Sequence, residues 1–151
     1  MRTWAGRVRR MRASDYLTAT EVLALAVWVE IAIRVMPFSR VLERMTRASS
    51  PVADEAAVAD AAASANEYRR LLRFVTVAYD VLPLPATCLR RSLVLYALLE
   101  RRGVSSRLRF GVAKRGPAFA AHAWVECDGV VRDESAGRYG ELSELSLTPR
   151  P

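Results

Sequence analysis

The feature that most constrains this fold is a change of period at Gly103. Up to Arg102 the apolar residues recur at helical spacing, and beyond Gly103 they alternate as in strands. Cys88-Leu89-Arg90-Arg91-Ser92-Leu93-Val94-Leu95-Tyr96-Ala97-Leu98-Leu99 is the strongest helix, and Arg101-Arg102-Gly103 stops it. Arg107 to Val112 then alternates, Gly116-Pro117 turns, and Ala120 to Cys127 reads as a strand. Asp128-Gly129 is a two-residue hairpin loop, with Val130 to Glu134 as the return strand. A last strand or turn covers Arg138 to Leu142. Helices followed by a small antiparallel sheet make an α+β domain.

Upstream, residues 1–50 read as a basic arm and a helical region. The arm carries Arg2, Arg7, Arg9, Arg10 and Arg12, and a second short helix is expected around Phe38 to Met45. Residues 51–66 are Ala-rich, a linker or a weak helix, and residues 67–151 hold the core of the domain. Leu71, Leu72, Val75, Ala78 and Tyr79 place a helix over Glu67 to Val81. Leu82-Pro83-Leu84-Pro85 ends it and carries the chain extended to Cys88. The apolar run Val22 to Ile33 is shorter than the roughly 20 residues a membrane crossing needs, and Glu30 lies inside it. The expectation is a buried or partner-facing helix and no transmembrane segment, with contact at a membrane surface as the alternative.

The net charge is +7, almost all from arginine, since Lys114 is the only lysine. Basicity permits nucleic-acid binding, but the arginines are spread along the chain and form no recognised motif. They are read as solvated helix faces, or as attraction to an acidic peptide or partner, with no nucleic acid. Two cysteines and no signal peptide suit a reducing cytoplasm. Neither a phosphate-cradling Gly-rich loop nor a dinucleotide fingerprint is present, so no cofactor is expected.

Cys88 and His122 are the residues with chemistry to offer. His122 is the only histidine. Thr87 can cap the helix, which puts Cys88 in the first turn, where the helix N-terminus favours a thiolate and Arg90 and Arg91 add positive potential. The bland alternative is a small buried hydrophobe. In the hairpin, Cys127 pairs with Val130, Glu126 with Val131, Val125 with Arg132 and Trp124 with Asp133. His122, Trp124, Glu126, Val131 and Asp133 then share one face, and Ala123, Val125, Cys127, Arg132 and Glu134 the other. Asp133 is the acid diagonal to His122 and fit to orient it. Asp128 is too far away, at the turn tip. A bulge would promote Glu134 instead. Cys127 faces away and belongs to the core. One histidine and two cysteines on opposed faces do not make a zinc site.

These residues carry a family resemblance. Cys88-Leu89-Arg90-Arg91-Ser92-Leu93, Leu98-Leu99-Glu100-Arg101-Arg102-Gly103, Leu108-Arg109-Phe110-Gly111-Val112 and Ala121-His122-Ala123-Trp124-Val125-Glu126, with Gly129 and Asp133, resemble the transglutaminase-like leader peptidases of lasso peptide biosynthesis. The likeness is dense over residues 66 to 135 and loose before them. His-Ala-Trp-Val alone marks only the wider superfamily. The resemblance implies a transglutaminase-like (papain-like) cysteine protease core in residues 67–151, with a Cys88–His122–Asp133 triad and no cofactor. It implies removal of a leader from a ribosomally made precursor before a separate cyclase closes a macrolactam. It also implies a discrete leader-recognition partner, because the chain is too short to hold that module. Trp124 and Arg91 are the candidate substrate-groove residues, Trp124 being equally readable as a core aromatic. The rivals are another acyl-transfer enzyme on the same scaffold, such as a transglutaminase or N-acyltransferase, and a non-catalytic basic binding protein.

Overall fold

The computed structural model describes residues 13–47, 61–115, 118–133 and 135–141. Among the described residues four helices precede the sheet: α1 (Ala13–Val35), α2 (Phe38–Arg47), α3 (Ala61–Val81) and α4 (Cys88–Arg101). The strands are β1 (Ser106–Arg115), β2 (Ala118–Cys127), β3 (Val130–Val131) and β4 (Gly140–Glu141), with a 3-10 turn at Ala136–Arg138 before β4. They form an antiparallel sheet in the order β3-β2-β1-β4. The architecture is α+β, with the change of period at Gly103 as its seam. Gly103 has φ 68°, the left-handed geometry that ends a helix without a Cβ penalty.

α4 is the central element. Ser92 through Leu99 are all buried, so the helix is apolar on every side over two turns. Such a helix must be enclosed. α1, α2 and α3 surround it on one side, and β1 and β2 on the other. Val22, Val29, Val41, Leu71, Val75, Leu93, Leu98, Leu99, Val125 and Cys127 fill the core between them. Phe38 of α2 meets Phe110 of β1 edge to face at 6.0 Å.

α1 corrects one expectation. The apolar run extends into a helix of 23 residues, long and apolar enough by length and composition to cross a membrane. Here one face of it lines the core through Val22, Leu25, Ala26, Val29 and Ala32. That face also holds Glu30, whose side chain is 3% exposed and is bound by Arg34 and by Arg90 of α4. α3 covers Ala61–Val81, so the last six residues of the stretch 51–66 are helical. The basic arm through Arg12 and residues 51–60 lie outside the described residues, as do Gly116, Pro117 and Glu134.

The hairpin register is the one read from the loop. Cys127 pairs with Val130 and Glu126 with Val131. Asp128 (φ 51°) and Gly129 (φ 73°) both take positive φ, as a type I′ turn requires. The return strand, however, is two residues long, and the pairs Val125–Arg132 and Trp124–Asp133 do not form. The cause is local. The Asp133 side chain accepts from the Ser135 backbone N–H at 2.8 Å, and its carbonyl accepts from Ala136 at 3.1 Å. This turn competes with the ladder and pulls the chain into the 3-10 segment.

Candidate active site

The site is built on the first turn of α4, the middle of β2 and the turn after β3. Cys88 opens α4 and is half-buried. Thr87 is the N-cap: its backbone is extended and its hydroxyl accepts from the Arg90 N–H at 3.4 Å. Arg90 reaches the same hydroxyl at 3.2 Å and Glu30 at 2.6 Å. The start of α4 is therefore tied both to its own cap and to α1.

A second tie joins α4 to β2. The I′ turn makes Cys127 and Val130 the hydrogen-bonded pair, so the backbone groups of Cys127, and by alternation of Val125 and Ala123, point toward the β3 side. β3 ends at Val131, which leaves the Ala123 carbonyl on an open edge. The buried Ser92 hydroxyl donates to it at 2.8 Å. Cys88 lies four residues before Ser92 on the same side of α4. His122 is the neighbour of Ala123. The Ser92–Ala123 bond thus ties α4, one turn beyond Cys88, to the middle of β2 beside His122.

His122 and Asp133 are joined directly, Nε2 to Oδ2 at 2.8 Å, with both side chains only partly exposed. Asp133 reaches the ring from the turn after β3 rather than from a paired strand. Ser135 adds to the bond: its hydroxyl donates to Asp133 Oδ1 at 2.6 Å and lies 2.8 Å from His122 Nε2. Burial pushes the Asp133 carboxyl up, but the hydrogen bonds from Ser135 and His122 outweigh it and hold the carboxyl below its ordinary value. Asp133 is thus kept as the anion that accepts from Nε2–H. The neutral ring then carries its lone pair on Nδ1, and Nδ1 is the nitrogen able to take a proton. The structure bonds His122 to Asp133 and does not hydrogen-bond Cys88 to His122. Such contacts commonly tighten only when substrate binds.

Two of the expected site residues take other roles. Trp124 is 4% exposed and stacks near the His122 ring, so it supports the ring and offers no wall to a groove. Arg91 pairs with Asp80 at 3.5 Å and Arg90 with Glu30, so neither is an uncompensated positive charge beside Cys88. Cys127 is fully buried, and burial together with Asp128 pushes its thiol up. This is core behaviour and leaves Cys88 as the accessible thiol. Among the described residues no group of three or more His, Cys, Asp or Glu could hold a metal.

Three residues at the site were not singled out from the sequence for a role there. Ser135 had a signal, because Asp-x-Ser after a strand is an Asx-turn pattern. Gly111 had one too, since a glycine inside an alternating strand marks a close approach. Tyr139 had none, since nothing local says which ring it will meet.

Comparison with known proteins places the fold. A family profile described as the transglutaminase-like superfamily matches residues 32–146, most of the chain. The chain belongs to that superfamily, whose members are typically cysteine proteases or acyltransferases. Neither a curated protein nor a solved structure matches it.

Proposed function

We propose that this chain is a cysteine peptidase that removes the leader from a ribosomally made lasso peptide precursor, before macrolactam closure. The observation that carries the reading is the His122–Asp133 bond at 2.8 Å, beside the strand residue to which Ser92 ties the Cys88 helix. The sequence blocks around Cys88, Gly111 and His122 support the narrower assignment to leader removal.

In the proposed mechanism the Cys88 thiol passes its proton to His122 Nδ1, and the sulfur attacks the scissile carbonyl at the leader–core junction. The carbonyl oxygen becomes an oxyanion, for which the Cys88 backbone N–H at the helix start is a donor. As the tetrahedral species collapses, the C–N bond breaks and His122 gives its proton to the leaving amine of the core peptide. A leader thioester stays on Cys88. Water then attacks it, His122 takes the water proton, and the thiol leaves as the leader carries off a carboxylic acid. Asp133 stabilises the His122 cation in both halves.

The proposal includes a separate leader-recognition protein as partner, a cyclase acting next, and a cytoplasmic setting. The test is incubation with a precursor peptide and the recognition protein, read by mass. Free leader acid and intact core are expected. A leader amide formed with an added amine would make the chain an acyltransferase instead. Leader release that persists in Cys88→Ala would overturn the assignment of the nucleophile.

A further inference from the structure

The His122 ring has more holding it than its acid. Tyr139 stacks near it with centroids 5.0 Å apart and planes at 26°, and Trp124 does so at 5.9 Å and 22°. Both aromatics converge on Gly111, the β1 residue paired with His122. A Cβ on Gly111 would lie 2.9 Å from Trp124 Cη2 and Cζ3 and 2.9 Å from Tyr139 Cβ. No real side chain tolerates such contacts. The missing side chain is the space that these two residues occupy. Tyr139 is delivered there by the 3-10 turn, its N–H bonding Ala136 O at 2.9 Å, and by the start of β4 alongside Gly111 and Val112. The nine residues from Asp133 to Glu141 therefore supply both the acid at Nε2 and a ring beside the imidazole.

We propose that Tyr139, seated with Trp124 over Gly111, is a positioning residue that fixes the plane of the His122 ring and so the nitrogen presented to Asp133. An imidazole turns about its last torsion with little intrinsic preference. To turn over, the ring must pass perpendicular to its present plane. Two neighbours nearly parallel to it, at these separations, obstruct that passage. Nε2 then stays with Asp133, and Nδ1 stays available for proton transfer. Without Tyr139 the ring can turn, breaking the bond to Asp133 and misaligning Nδ1. Misplacement on this scale lowers turnover on the order of 100-fold.

The single histidine makes the test clean, because the imidazole nitrogens of the 15N-labelled full chain belong to His122 alone. The wild type is expected to show one neutral tautomer, protonated at Nε2. Tyr139→Leu should move the nitrogen signals toward a tautomer mixture and lower kcat on the order of 10- to 100-fold with little change in KM, and Tyr139→Phe should restore both. Gly111→Ala should reproduce Tyr139→Leu, and if it fails to fold, the two Tyr139 variants still decide. A Tyr139→Leu protein that keeps the wild-type nitrogen signals overturns the inference, whatever its kinetics. The kinetic arm rests on the peptidase reading and the spectroscopic arm does not. A wild type that cleaves no precursor, yet whose signals shift in Tyr139→Leu, removes the peptidase reading and upholds Tyr139 as the residue that positions the ring.

Discussion

Two polar clusters flank α4, and they are built on opposite principles. One is the Glu30–Arg90 pair, with Arg34 and the Thr87 hydroxyl beside it. Glu30 is buried to 3% exposure, and Arg90 reaches it at 2.6 Å. The other is His122–Asp133–Ser135, partly exposed, a hydrogen-bonded ring, carboxylate and hydroxyl. The first cluster joins α1 to the cap of α4. The second depends on its neighbours for geometry. The first fixes the start of the cysteine helix, and the second fixes the orientation of the His122 ring.

The sharpest way to break the contrast is Asp133→Asn. The variant should fold, yet leader release should fall on the order of 1,000- to 10,000-fold, because the amide favours the wrong tautomer of His122. Mass-resolved cleavage kinetics with a folded control would check this. Glu30→Ala should act in the other direction, on stability rather than chemistry. It takes the carboxylate from the half-buried Arg90 guanidinium, which should cost about 1.5–3 kcal/mol in denaturant unfolding. The double variant Glu30→Met, Arg90→Met should recover most of that loss. If it does not, the pair is more than a mutual neutralisation.

Ser92→Ala probes the tie between the two halves of the site. It leaves the buried Ala123 carbonyl without its partner, with an expected loss of about 1–3 kcal/mol in unfolding free energy. Cleavage should fall as well, since Cys88 sits one turn away on the same side of α4. The smallest effect is on pH. The Asp133 carboxyl is lower in the folded chain than its ordinary value of 3.8. Its network therefore contributes stability that is fully present above that value and is lost as pH falls below it, through the lowered native value. Melting curves of wild type and Asp133→Asn should converge in that acidic window and stay apart above it.

Much of this site was legible in the chain, for particular reasons. Asp128-Gly129 sets a type I′ turn, and the turn sets the register of Cys127 with Val130. The period of two then put His122 and Asp133 on one side. The bond between them formed even though the strand pairing used to argue it did not extend to Asp133. What brings Asp133 back is its own turn with Ser135, a piece of side-chain chemistry that a count of alternating residues does not include. Reading Arg90 and Arg91 as positive potential near the thiol failed for a related reason. Their partners, Glu30 and Asp80, stand on other helices, and nothing beside Cys88 in the chain announces them.

By itself, then, the sequence determined most of the helices, the hairpin loop and its register, and the placing of His122 and Asp133 on one side. All of these follow from sterics and hydrogen bonding between close neighbours. Only the tertiary structure decided that Glu30 meets Arg90 across 60 residues, that Ser92 closes the open edge of β2, and that Tyr139 comes to lie beside His122 in the space Gly111 leaves. Those contacts depend on how layers dock. Docking is chosen by the burial of whole faces around α4, and no single residue type records it.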